Sequence, residues 1–68
     1  MERLNLTKLR SARRKCHLTA EKVAEHIGKQ RSAIYSYETG TSEPRIGTLL
    51  KMLQLYKLSI LDVFVRDL

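Results

Sequence analysis

Residues 20–39 read AEKVAEHIGKQRSAIYSYET, and this window decides the fold. Ala20, Val23, Ala24 and Ile27 recur at spacings of three and four, which places them on one side of a helix running from Ala20 to about Ile27. Thr19 precedes it, with a hydroxyl able to accept from the free N–H groups of a first helical turn, and Glu21 suits the positive end of that helix. Gly28 is the residue best able to take the left-handed conformation of a sharp exit. A further helix is predicted from about Arg31 to Thr39. At about 100° per residue, its Arg31, Ser32, Tyr35, Ser36 and Thr39 share one face, and Ala33, Ile34 and Tyr37 the opposite one. The window is built to set two helices at a steep angle. Ala24 is small enough for close approach, Gly28 makes the turn, and Val23, Ile27, Ile34 and Tyr37 fill the space between.

Helical spacing continues on both sides. A first helix is predicted from Asn5 or Leu6 to Cys16, with Leu9, Ala12, Arg13 and Cys16 on its inner side, and His17 just past its end is a residue that tolerates positive φ. Gly40 and Pro44 bracket a loop, after which Leu49, Leu50, Met52, Leu53 and Tyr56 mark a fourth helix from about Ile46 to Tyr56. Ser59 and Asp62 form a Ser-x-x-Asp start for a fifth, in which Ile60, Val63 and Phe64 are expected to cover the core. No Asn-Gly or Asp-Gly turn and no alternating pattern signals a strand. The expected fold is all-α, a compact bundle of about five short helices in a single domain over residues 1–68.

Composition narrows the partners. The 68 residues carry 13 Lys and Arg against seven Asp and Glu, a net charge of +6. Residues 1–31 hold nine basic and three acidic side chains (9 − 3 = +6), whereas residues 32–68 hold four of each. Basic charge segregated in this way favours a polyanion, either nucleic acid or an anionic membrane surface. Glu21, Glu25 and Glu38 interrupt the basic faces and Trp is absent, which disfavours the membrane. Cys16 is the only cysteine, so no intrachain disulfide forms, and Cys16, His17 and His26 lack the paired spacing of a zinc site. No metal or other cofactor is expected. The first residues lack the apolar core of a secretory signal, and a cytosolic protein is expected. Neither a Gly-rich phosphate loop nor a nucleophile elbow is present, so no enzymatic activity is expected.

The window resembles the helix-turn-helix of the phage repressor and Cro-like regulators, with LRSAR at 9–13, HLT at 17–19, YETGTSEP at 37–44 and TLLKML at 48–53 in that family's order and spacing. The resemblance implies a lambda-repressor-like domain, with its helix-turn-helix over about 20–39, that binds double-stranded DNA and regulates transcription, as a repressor that occludes polymerase. It places the third helix in the major groove with its first residues at base edges. Arg31, Ser32, Tyr35 and Ser36 are then the base-contacting set. Arg31 offers a planar fork of donors matching guanine O6 and N7, whereas the Ser hydroxyls discriminate less. Tyr35 either touches a thymine methyl or a phosphate, or lies over the surface. Thr19, Lys22, Lys29, Gln30 and Arg45 form the backbone-contacting set, with Arg10 and Arg14 adding field. The resemblance also implies a partly buried ion pair between Arg13 and Glu38.

Several residues depart from the family pattern. Lys29 stands where an apolar residue is usual, and either loosens the turn or reaches a phosphate. Ala20 replaces a Gln that braces the recognition helix, Arg45 replaces a Ser cap, and Lys57 replaces a Gly, at a cost of about 1 kcal/mol if it must adopt positive φ.

One unit of this size touches few base pairs, so a symmetric homodimer on an inverted-repeat operator is expected. Leu61, Val65 and Leu68, at i, i+4 and i+7 of a continuing fifth helix, form its predicted interface. The alternative on the same fold is an antitoxin or another protein-interaction module, which an extended exposed apolar patch would favour.

Overall fold

The computed structural model describes residues 2–66. Each helix begins where a local acceptor or an extended residue allows it. Asn5 Oδ1 accepts from the Lys8 N–H at 3.1 Å and opens α1 (Leu6–Lys15). Three basic residues, Arg13, Arg14 and Lys15, occupy its last turn, where the helix dipole favours positive charge. The chain leaves α1 through His17, at φ 57°, with the His17 and Leu18 N–H groups donating back to the carbonyls of Arg14 and Arg13. Thr19 Oγ1 then accepts from the Lys22 N–H at 3.1 Å and starts α2 (Ala20–Ile27).

Gly28, at φ 71° and ψ 35°, ends α2 with its N–H on the Ala24 carbonyl, and Lys29 donates to the same carbonyl at 2.9 Å. A Cβ at this position would meet no heavy atom within 4 Å, so the demand for glycine comes from the left-handed backbone and not from crowding. Gln30 returns to extended geometry and α3 (Arg31–Thr39) follows.

The third and fourth helices are joined by the loop Thr41–Arg45, and α4 (Ile46–Tyr56) begins without a side-chain cap from Arg45. Its exit is Lys57, at φ 58°, in the conformation that glycine adopts at least cost. Asp62 Oδ2 accepts from the Ser59 N–H at 3.0 Å at the start of α5 (Ile60–Val63), and this hydrogen bond holds the Asp62 carboxyl below its ordinary range.

The helices enclose one core. Leu9 of α1, Val23 of α2, Ile34 of α3, Met52 of α4 and Val63 of α5 are completely buried, so every helix contributes a side chain to its centre. Ala12, Ala20, Ala24, Ile27, Tyr37, Leu49, Leu53 and Tyr56 complete it.

The architecture is all-α in its body, as the periodicity indicates, with two corrections at its ends. First, the fifth helix stops at Val63. Phe64–Arg66 form a strand, β2, antiparallel to β1 (Glu2–Leu4), with Leu4 opposite Phe64 and Arg3 opposite Val65. Leu4 and Phe64 both pack against the core, and the Asn5 N–H donates to the Val63 carbonyl where the ribbon meets the bundle. Phe64 and Val65 are aromatic and β-branched, which suits extended backbone, and pairing with β1 satisfies the polar groups of the strand. Second, Ile60 is turned partly to solvent (38% exposed) and does not cover the core as expected, because Val63 and Phe64 already do so.

Tyr56 carries a buried polar group that is left unmet. Its ring is almost wholly buried, and its hydroxyl has no hydrogen-bond partner among the described residues. Burial raises its pKa above the ordinary value of 10.0, with the nearby Glu38 carboxylate adding to the effect and Arg13 opposing it. Above pH 10 the unfolded chain therefore releases the phenolic proton before the folded one does, and stability falls as pH rises. Tyr56→Phe removes both the orphaned hydroxyl and this titration. It is expected to stabilise the domain by about 1 kcal/mol at neutral pH and to flatten the alkaline limb of stability against pH, measured by urea unfolding from pH 7 to 11.

Candidate nucleic-acid interface

The candidate surface is built on α3, whose two faces do different things. Ile34, Tyr37 and Glu38 point inward and are buried. Arg31, Ser32 and Tyr35 are exposed on the opposite side, while Ser36 is only half-buried at its margin. Tyr35 keeps about half of its surface in solvent. Thr39, at the end of this face, is turned back on the chain. Its hydroxyl donates to the Tyr35 carbonyl at 2.9 Å and lies 3.0 Å from the Thr41 hydroxyl. With the Ser42 N–H on the Ser36 carbonyl, these contacts fasten the following loop to the end of α3.

Thr19 and Lys22 at the start of α2, Lys29 and Gln30 in the turn, and Arg45 before α4 are all solvent-exposed. Gln30 and Arg45 make no side-chain cap, so the first N–H groups of α3 and α4 have no side-chain acceptor from those residues. Free N–H groups and the positive end of the helix dipole suit an anion.

Arg31 does not stand alone. Its Nη1 donates to Glu21 Oε1 at 2.7 Å, across the turn from the first residue of α3 to the first turn of α2, with both side chains more than half exposed. Sequence spacing does not reveal this pair, since residues ten apart meet only once the angle between the helices is set.

The inner end of α3 is anchored by a second pair. Arg13 Nε donates to Glu38 Oε1 at 2.7 Å and Arg13 Nη2 to Glu38 Oε2 at 3.4 Å, while Arg13 Nη1 donates to the Leu18 carbonyl at 2.9 Å. Both residues are buried. The hydrogen bond to Glu38 raises the Arg13 pKa and outweighs the opposing effect of burial. One guanidinium thereby joins α1, the turn after it, and α3. No sequence signal pointed to the Leu18 carbonyl, because a backbone acceptor has no residue-type signature.

The residues expected at a dimer interface are scattered. Leu61 is 87% exposed on α5. Val65 belongs to β2, so the helical spacing that joined it to Leu61 does not exist. Leu68 lies outside the described residues. No described helix is long and apolar enough to cross a membrane.

A family model described as helix-turn-helix matches residues 9–63, from the middle of α1 to the end of α5. The chain belongs to the Cro/C1-type helix-turn-helix family. No curated protein and no solved structure matches it. Family membership makes this a DNA-binding regulator.

The anchoring role of Arg13 and Glu38 has a measurable consequence. Removing either partner strands a buried charge, so Arg13→Ala and Glu38→Ala are each expected to cost about 3–5 kcal/mol, with the double variant well short of the sum. Urea unfolding of the four proteins of this cycle measures the coupling, and additive losses would contradict it.

Proposed function

We propose that the domain is a transcriptional repressor that reads an operator with the outer face of α3 and binds it as a homodimer. The observation that carries this reading is a helix, α3, whose inner side is buried and whose outer face is exposed and hydrogen-bonding, in a chain that also exposes Lys22, Lys29 and Arg45. Arg31, at the first position of α3, supplies the principal base contact, with Ser32, Tyr35 and Ser36 as lesser contacts. Thr19, Lys22, Lys29, Gln30 and Arg45 hold phosphates. A domain seated across the groove excludes other proteins from the same site, and repression follows by occlusion.

Selection on random duplexes tests the reading. A defined consensus is expected, and uniform salt-sensitive binding would refute specific recognition. On the selected duplex, Arg31→Ala is expected to cost about 1–3 kcal/mol and to relax one base position. Lys22→Ala and Lys29→Ala should weaken all sequences alike and reduce the salt slope by about one unit each.

The dimer rests on Leu61, a large apolar side chain left almost wholly in solvent next to the ribbon that closes the bundle. An inverted repeat with half-sites about one helical turn apart is expected from the selection. Leu61→Glu should shift sedimentation equilibrium towards the monomer and weaken binding to the full repeat without altering binding to a half-site. A wild-type protein that stays monomeric at high micromolar concentration would refute it.

A second reading, a module that binds a partner protein, is favoured by Ile46 and Leu50, exposed one turn apart on α4. Absence of any consensus in the selection would support it over the first.

A further inference from the structure

We infer that Glu21 is a specificity-determining positioning residue: its carboxylate holds the Arg31 guanidinium for a base edge and turns it away from phosphates. This rests on the reading that Arg31 contacts a base. Three observations lead to it.

The first is geometric. Arg31 Nη1 donates to Glu21 Oε1 at 2.7 Å, and Arg31 makes no other side-chain hydrogen bond among the described residues. The contact uses Nη1 and leaves the Nε and Nη2 donors on the adjoining edge of the guanidinium. These two N–H groups are parallel and match the two acceptors of guanine, O6 and N7. A guanidinium held by one nitrogen therefore still presents a complete fork.

The second is electrostatic. An unrestrained arginine on a DNA-facing surface has two outlets, a base edge or the nearest phosphate, and the phosphate offers the greater charge. With a carboxylate 2.7 Å away, a phosphate approaching Arg31 also approaches Glu21 and is repelled, whereas O6 and N7 are neutral acceptors and meet no such penalty. The negative charge thus weakens overall attraction to DNA and sharpens the choice of what Arg31 touches.

The third concerns stability. Both side chains are more than half exposed, so the pair contributes little to folding and has no evident structural purpose. Ala20, just before Glu21, is 2% exposed and has no polar group to offer Arg31, which leaves Glu21 as the side chain of the first turn of α2 that steers it.

The size of the effect follows from the exposure. A solvated pair biases an orientation by no more than about fivefold, and the base contact that it prepares is worth more than that. The test measures binding of wild type, Glu21→Ala, Glu21→Gln, Arg31→Ala and the double alanine variant. Probes are the selected duplex, its three single-base substitutions at the position that Arg31 reads, and a random duplex. Glu21→Ala is expected to lower discrimination at that one position by about three- to fivefold while binding random DNA more tightly than wild type. Glu21→Gln keeps an acceptor oxygen without the charge, and should retain more of the discrimination than Glu21→Ala does. On the Arg31→Ala background, Glu21→Ala should change discrimination nowhere.

Unchanged discrimination in Glu21→Ala, with Arg31→Ala still relaxing the position, would overturn the inference and leave Arg31 as a base contact. Loss of discrimination at every position alike would assign Glu21 a structural role instead, and thermal unfolding of Glu21→Ala at the wild-type temperature excludes that. If Arg31→Ala itself relaxes no position, the underlying reading fails and the positioning role with it.

Discussion

The buried ion pair between Arg13 and Glu38 is the constraint on which the exposed face of α3 depends. A guanidinium and a carboxylate removed from water incur a large desolvation cost, offset only when the geometry is good and the remaining donors are satisfied. Here Nε and Nη2 face the two carboxylate oxygens and Nη1 meets the Leu18 carbonyl, so the charge is matched and the third nitrogen is used. An apolar pair of the same volume would hold α1 to α3 without prescribing how α3 is rotated about its own axis. The paired fork prescribes it, because Glu38 is accommodated only when its carboxylate meets that fork. Rotation of α3 is what puts Arg31, Ser32 and Tyr35 outward, so the buried charge specifies the outer face more than it strengthens the core.

The junctions between helices show the same economy. Four connections pass through the left-handed region, at His17, Gly28, Gly40 and Lys57. Glycine stands at the two that flank α3, where strain would act on the helix that carries the exposed hydrogen-bonding face. A histidine and a lysine stand at the other two, after α1 and α4, where backbone N–H groups donate to carbonyls of the preceding turn and hold the exit in place. Strain of about 1 kcal/mol at each is borne by these hydrogen-bonded exits.

Much of this was legible in the residues. Apolar spacing located all five helices, and Thr19, His17 and Gly28 marked their ends, because caps and left-handed exits depend on the residue at the position and little else. The ribbon between β1 and β2 was not legible. Three residues per strand are too few to display alternation, and their pairing joins the two ends of the described chain, which no local pattern encodes. That same closure ends α5 at Val63 and removes Val65 from the helical stripe assigned to it. On the outer face of α3, residue chemistry singled out Arg31 but not its partner, since Glu21 read as a favourable charge at the start of a helix and as a break in the basic face. Its contact with Arg31 is a product of tertiary geometry.

The two ion pairs of α3 differ in kind, and the difference suits a DNA-reading helix. The inner pair is buried, so breaking it leaves an uncompensated charge and costs about 3–5 kcal/mol, a large part of the stability of so small a domain. The outer pair is solvated and worth under about 1 kcal/mol. Docking against DNA can therefore rearrange Arg31 and Glu21 at little cost while leaving the rotation of α3 undisturbed. On the proposed reading, substitutions at position 21 or 31 change what is read without threatening the fold, whereas substitutions at position 13 or 38 threaten the fold first. The separation arises from burial together with the fuller hydrogen bonding of the inner pair, since both pairs share one 2.7 Å contact between an arginine and a glutamate and only Arg13 adds contacts to Glu38 Oε2 and the Leu18 carbonyl.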